Sequence, residues 1–444
     1  MRVLIAQFSN PTQETAPPVF SHNIGVLCSR LKSENFTVSL VDLKGYQPQR
    51  LRQKIVETRP QYVLVDMSII NSAAARRTIA DIAWQFALPV AVMGQYPTCD
   101  TSRAVSIPGV VALFVGEYEH TAVEYLCGVR RHGDPAGIDG LWINTPDGLV
   151  KGALRKPQED LDALPFPDRD VFDYQQIVQH SQQACFKVAR GCPRWCGHCV
   201  SDIYADLYDS HPVVRRRSVP NVVEEVRQVI ATYEGIKRVV FHDHAFACDL
   251  SWLREFAAQY VSCCNLPYTC YVPLEDVSGE LVKLLSSSRC TQVNTTIGSG
   301  SRFIRDEIQA IHVSNEQIVN GCGLLRQAGI EIHATVYIGL PYETEISIDD
   351  TLELLANAGI RHVYPQVYYP LPGTRSAEVC RDNGWISGRS ADHYWQNKSV
   401  LDMPSLPARQ INELAQKFPA MLKRRRGGMI RRILRSLLGT SPRR

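Results

Sequence analysis

The chain has 444 residues, 45% hydrophobic and 21% charged, with a formal net charge of +3, a globular composition long enough for two or three domains and a charge that selects no partner. Its 14 cysteines are scattered without the spacing of a disulfide framework, and the amino terminus lacks the charged region and cleavage site of a secretory signal. No apolar run approaches the ~20 residues that span a bilayer, so a reducing, cytoplasmic setting is expected.

Residues 1–127 alternate short Val/Ile/Leu runs, at 2–7, 37–42, 62–66, 89–93 and 111–115, with amphipathic stretches such as 24–32 and 73–86. Continuous apolar strands separated by helices predict a parallel sheet covered on both faces, hence one doubly wound domain. Ligands of such sheets bind at the carboxyl ends of the strands, here the loops 8–20, 67–72 and 94–99. Residues 128–184 read as a connector rich in Gly and Pro, with a small hairpin over 140–144 closed by Asp147 and Gly148.

From 185 to 385 the alternation returns in larger units. A strand at 184–189 leads to Arg190-Gly191-Cys192-Pro193-Arg194-Trp195-Cys196-Gly197-His198-Cys199. Arg215, Arg216 and Arg217 then precede a helix expected over 221–233, with Asn221 as its cap. A strand at 236–241 ends in His242, Asp243 and His244, and one at 292–297 ends in Gly298, Ser299 and Gly300. Another, at 331–338, runs into Gly339-Leu340-Pro341-Tyr342-Glu343-Thr344, and the last, at 362–368, into Pro370-Leu371-Pro372-Gly373-Thr374. In β/α barrels catalytic groups gather at the carboxyl ends of strands, which gathers these turns into one candidate site. Residues 386–444 read as a helical region with a basic tail, where Lys423–444 carries no acidic residue. Met429, Ile430, Ile433, Leu434, Leu437 and Leu438 interleave there with arginines at helical spacing. A partly helical, mobile extension is expected, with an anionic membrane surface or nucleic acid as other readings.

Cys192, Cys196 and Cys199 stand at a spacing suited to an iron–sulfur cluster. Three thiolates can also form part of a zinc site, with His242 or His244 supplied from a distance. The CxxxCxxC run, followed by the strand-end turns at 242–244, 298–300, 339–344 and 370–374, resembles the radical S-adenosylmethionine superfamily. The resemblance implies a partial (β/α)6 barrel over 185–385, a 4Fe–4S cluster on the three cysteines, and S-adenosylmethionine on the iron they leave open. Reduction of that cofactor then yields a 5′-deoxyadenosyl radical, with an electron donor of the flavodoxin or ferredoxin type. By the same resemblance His198 takes the place of an aromatic residue beside the cluster, His242, Asp243 and His244 lie near the methionine moiety, Gly298, Ser299 and Gly300 offer backbone amides, and Gly339 and Pro341 flank the adenine.

The first domain resembles the cobalamin-binding, Rossmann-like domain of one subgroup, through Pro17-Pro18, His22-Asn23-Ile24-Gly25, Gly94-Gln95-Tyr96 and Gly116-Glu117-Tyr118-Glu119. The Asp-x-His-x-x-Gly signature of that cofactor is absent, so cobalamin is possible rather than implied. Tyr204, Tyr208, Tyr271, Tyr337 and Tyr368 are candidates for substrate contact or catalysis. Together with the strand-end amides they suit a polar small molecule, sugar-like in character. Methylation with cobalamin, cobalamin-independent dehydration or epimerisation of a sugar or diol, and a zinc-stabilised cobalamin-binding sensor or scaffold are the expectations carried forward.

Overall fold

The computed structural model describes residues 1–13, 15–135, 137–145, 148–208, 214–388 and 392–437. The chain gathers into two compact units: Met1–Gly191, Val200–Val240 and Ser390–Gln396 in the first, and Cys192–Cys199, Phe241–Arg389 and Asn397–Arg444 in the second. The connector and the helices after the cysteine loop thus fold with the amino-terminal sheet.

In the first unit the five apolar runs become β1 (Arg2–Ser9), β2 (Thr37–Lys44), β3 (Tyr62–Asp66), β4 (Val90–Met93) and β5 (Val110–Phe114). All pair in parallel. The expected hairpin is β6 (Leu141–Thr145) and β7 (Gly148–Lys151); Pro146 and Asp147 lie outside the described residues. It does not stand apart in a linker, because β6 pairs antiparallel with β5. The seven strands run in the order β2-β1-β3-β4-β5-β6-β7. The chain reverses its direction of travel around β1, which makes the carboxyl ends of β1 and β3 the topological switch point. Val3, Ile5, Leu27, Leu31, Leu64, Met93, Phe114 and Leu126 are among the residues that close the core on one face.

The same unit holds β8 (Gln183–Phe186), β9 (Ala189–Arg190) and β10 (Arg215–Arg216), with β9 and β10 antiparallel. The helix expected from 221 begins at Val219 instead. Ser218, not Asn221, caps it by accepting the Asn221 N–H, and Pro220 occupies the first turn, where a missing N–H costs nothing. On this helix Glu225 is buried and takes two arginines, Arg169 at 2.7 Å and Arg217 at 2.5 Å. Arg169 also lies over the rings of Phe20, Tyr174 and Phe186, so its charge is balanced by one carboxylate and three aromatic faces.

The alternation from 185 onward is found as expected. After β11 (Arg238–Phe241) come β12 (Tyr268–Tyr271), β13 (Cys290–Gly298), β14 (Glu331–Ile338) and β15 (His362–Val367). Helices Leu250–Cys263, Gly279–Ser287, Asn315–Gln327 and Glu345–Asn357 stand between them. Within the second unit β12 to β15 are parallel neighbours in sequence order. On β14 the even positions Ile332, Ala334, Val336 and Ile338 are buried, while the odd positions through Tyr337 remain partly open, the two-residue period of a strand with one helix-covered face. Ser314 and Thr344 close the helices after β13 and β14 with capping boxes.

The carboxyl-terminal region is helical, as expected, and the first part of its basic stretch is held by contacts. One helix runs from Ala408 to Leu437, with Arg425 paired to Asp349 and Glu353, and Arg426 donating to the Ile360 carbonyl. Leu438 to Arg444 lie outside the described residues. No described helix is long and apolar enough to cross a membrane.

Replacing Glu225 with Ala leaves Arg169 and Arg217 buried without their carboxylate. A loss of about 3–5 kcal/mol is expected, the usual cost of breaking a buried pair, read as a lower urea midpoint for the first unit.

Candidate functional site

The cysteine loop is built into the second unit by its backbone. Gly197 donates its N–H to the Gln309 carbonyl at 3.1 Å and accepts the Ser376 N–H at 2.8 Å, while the Ser376 hydroxyl donates to the Ile308 carbonyl at 2.9 Å. Arg194 clamps the other side through Glu275 at 2.8 Å and Asp276 at 2.5 Å. A Cβ on Gly197 would stand 3.0 Å from the Ile308 carbonyl, so the close approach favours glycine here.

Cys192, Cys196 and Cys199 are half-buried; Cys192 feels the Cys199 thiol electrostatically, and Cys196 feels those of Cys199 and Cys192. Burial, then the neighbouring cysteines, pushes the Cys196 thiol up to about 12. Among the described residues, three ligating atoms lie within 4.8 Å of one another only at Glu331, His333 and His362. Three cysteines on one short CxxxCxxC loop fit the thiolate donor set of an iron–sulfur cluster. His198 lies edge-on to Tyr337 with ring centroids 5.3 Å apart, and burial pulls its imidazole down to about 4. It is a neutral ring.

The turn after β13 shows what an organic ligand would meet. Gly298 has φ +72°, and a Cβ there would fall 2.2–2.6 Å from the amide of Gln309. Gln309 is fully buried, and neither its Oε1 nor its Nε2 has a hydrogen-bond partner. It follows a π-helical turn, Ile304–Ile308, a geometry often found at functional sites. The turn is braced by buried Arg305, which donates to the Ser299 carbonyl at 2.7 Å, the Val313 carbonyl at 3.1 Å and Asn315 at 2.6 Å. An unpartnered buried amide beside an obligatory glycine fits a polar cofactor such as S-adenosylmethionine. Sequence reasoning missed Gln309.

One of the expected cofactor amides, that of Gly300, and the N–H of Gly339, expected beside the adenine, are engaged within the protein. The Gly300 N–H donates to Thr351 Oγ1 at 2.7 Å, and a Cβ there would strike the Asp350–Thr351 backbone. Gly300 is thus a turn–helix contact. The Gly339 N–H donates to Glu343 at 2.5 Å, as does that of Leu340 at 3.3 Å. Glu343, quoted in the motif but given no role, is fully buried, with its second oxygen unpartnered. Burial pushes its carboxyl up to about 8, so it is protonated near neutrality. Pro341 is buried beside it. Asp243 is buried, whereas His242 and His244 are exposed, with the His244 ring 4.2 Å from that of Tyr271.

The candidate tyrosines divide between the units. Tyr271, Tyr337 and Tyr368 belong to the second, at or just past the ends of β12, β14 and β15. Tyr204 and Tyr208 belong to the first, at the carboxyl end of its sheet. The Tyr208 hydroxyl accepts the Glu117 N–H at 3.3 Å and fills the space a Cβ of Gly116 would need. Glu117 and Glu119 likewise have internal partners. Arg190 pairs with Glu119 at 2.5 Å and Glu117 at 3.2 Å, and Arg215 with Glu117 at 2.5 Å. Nearby, Asp66 ends β3, where burial pushes its carboxyl up to about 7. The carboxyl-end loops 10–20, 67–71, 94–100 and 115–117 contain no histidine, and His22 faces the Cys185 carbonyl at 3.1 Å. These loops offer no imidazole to a cobalt ion.

Residues 186–355 match the family model of the radical SAM superfamily. Among curated proteins, the chain is similar to the tRNA-2-methylthio-N(6)-dimethylallyladenosine synthase of Rickettsia canadensis (26% identity over 290 residues, 62% of each chain). That of Chlorobium chlorochromatii is 26% identical over 232 residues, 50% of each. The chain therefore spans less than two thirds of these relatives. Among solved structures, the radical S-adenosylmethionine methyltransferase TsrM from Kitasatospora setae, with cobalamin and a 4Fe–4S cluster bound, has a TM-score of 0.67 at 18% identity, covering 87% of this chain and 79% of that one. The cobalamin-dependent S-adenosylmethionine radical enzyme OxsB, with aqua-cobalamin and S-adenosylmethionine bound, has a TM-score of 0.67 at 12% identity, covering 94% and 60%. At these identities the likeness is one of fold: a Rossmann-like domain followed by a radical SAM barrel.

Gly298→Ala is expected to weaken S-adenosylmethionine binding at least about tenfold, the cost of displacing the Gln309 amide by ~1.4 kcal/mol or more, measured by equilibrium dialysis on cluster-loaded protein. Glu343 gives a pH signature. Its folded pKa lies above the unfolded carboxyl value of about 4.3, so its contribution falls as pH rises from about 4 toward 8. Glu343→Gln should keep the acceptor for the two N–H groups and flatten this part of the stability profile, read as thermal midpoints at pH 5 and pH 8.5.

Proposed function

Because this chain is a member of the radical SAM superfamily, we propose that it cleaves S-adenosylmethionine reductively and uses the resulting radical to functionalise a polar small molecule, with C-methylation as the outcome. The observation that carries this reading is the meeting of a three-cysteine loop with the turn at Gly298 and the unpartnered Gln309 amide in one unit. Cys192, Cys196 and Cys199 would hold a 4Fe–4S cluster, which when reduced would supply the electron for reductive cleavage of S-adenosylmethionine.

The chain's own residues bind, orient and exclude water. Gln309 presents a donor and an acceptor to the cofactor from a site that water reaches poorly, where each hydrogen bond counts for more than it does in solvent. Asp243 accepts from the cofactor's ammonium group. His198, neutral and packed on Tyr337, covers the cluster without adding charge. Tyr271, Tyr337 and Tyr368 line the substrate side. A reductant of the flavodoxin or ferredoxin type and a cytoplasmic setting complete the proposal.

Cobalamin as methyl carrier is supported by the seven-stranded first sheet and its likeness in fold to TsrM and OxsB. With no histidine in the carboxyl-end loops, the corrin would be held without an imidazole on cobalt. A second reading, cobalamin-independent dehydration or epimerisation, is favoured by Tyr208, which occupies the space above Gly116. The tRNA-modifying relatives define a third arm of the test, an RNA substrate.

Anaerobically reconstituted protein with dithionite should form 5′-deoxyadenosine from S-adenosylmethionine, and Cys196→Ala should lose the cluster absorbance and the product together. Protein carrying an intact cluster but making no 5′-deoxyadenosine with sugar, peptide or tRNA substrates would defeat the enzymatic reading. Added hydroxocobalamin that stays with the chain through gel filtration supports methylation; its failure to bind supports the second reading.

A further inference from the structure

At the opposite ends of β14 and β15 from the candidate site lies a second group of metal-binding side chains. Glu331 and His333 are two residues apart on β14 and share the strand face that carries Tyr337. His362 opens β15 directly opposite His333 in the parallel register. The two imidazoles stack, with centroids 4.5 Å apart and planes 19° from parallel. Both Nε2 atoms face one carboxylate, His362 at 2.8 Å and His333 at 3.4 Å. The ligating atoms all lie within 4.8 Å of one another. From His333 to Tyr337 is four residues, about 13 Å along a strand.

We propose that Glu331, His333 and His362 bind one divalent transition-metal ion, with zinc the best match, through the carboxylate and the two Nε2 atoms. Two imidazoles and a carboxylate are a donor set zinc takes with solvent in the fourth position. The set lacks the sulfur that would select an iron–sulfur cluster and the oxygen shell that would select calcium or magnesium. The outer contact is also in place. His333 Nδ1 meets the Tyr364 hydroxyl at 3.1 Å, and a phenol can accept from Nδ1–H when Nε2 holds a metal. Glu331 and His362 are about half exposed, with side-chain accessibilities of 52% and 45%, which leaves the ion a path from solvent. Bound there, the ion ties β15, the last strand in the sheet order, to β14.

The test uses the full-length protein with its cluster reconstituted, so that the cysteine loop is filled, exposed to zinc and then desalted. Expected are one zinc per chain beyond the iron, by mass spectrometry of the metals, and an X-ray absorption first shell of nitrogen and oxygen at about 2.0–2.1 Å. The pair His333→Ala and His362→Ala should abolish that equivalent, and Tyr364→Phe should weaken it roughly tenfold. Circular dichroism of each variant reports whether it is folded. A zinc shell of sulfur near 2.3 Å, or a folded double-histidine variant that keeps its zinc at unchanged affinity, overturns the assignment.

Discussion

Arg190 stands two residues before the first cysteine, and the cysteine loop starts from where its guanidinium is held. Burial works against the charge, and Glu119 and Glu117 outweigh that cost and raise its pKa. Arg215, opposite Arg190 across the β9–β10 pair, shares Glu117 and also donates to the Gln158 carbonyl at 2.6 Å. Two arginines and two carboxylates thus cancel, which is the condition under which such charges tolerate burial. The strand that launches the loop is fixed by paired charges before any cofactor is considered.

Downstream the same economy of partners is selectively broken. Several polar groups around the loop have protein partners: Gly197 with Gln309 and Ser376, Arg305 with three acceptors, Gly300 with Thr351. The exceptions include His198 Nδ1, the Gln309 amide and one oxygen of Glu343. Unmade hydrogen bonds in a buried setting cost about 1–3 kcal/mol each. Groups left open at that cost beside the cysteine loop fit a bound ligand better than the protein's own stability.

Much of the architecture was legible because it is carried by local pattern. The Val/Ile/Leu runs marked β1 to β5, and the cysteine spacing with its strand-end turns marked the second unit. What escaped was set by contacts distant in sequence. In the sequence Arg215 and Arg217 are only part of a basic run before a helix, yet Arg215 meets Glu117, 98 positions away, and Arg217 shares Glu225 with Arg169. Gly300 read as a cofactor amide because its partner, Thr351, lies on a helix 51 positions away. Glu343 was in plain view within its motif, but the burial that keeps it protonated is a tertiary property. Gln309 carried no local signal at all.

That last residue owes its direction to the single widened turn at Ile304–Ile308. A π turn holds one residue more than the α-helical path it replaces, and each residue of a helix advances about 100° around the axis. Deleting one position there would let the segment relax to an ordinary helix and swing the following amide a quarter-turn or more away from Gly298. Homologues of different chemistry could therefore diverge at this point by length alone, with every side chain of the pocket unchanged in identity.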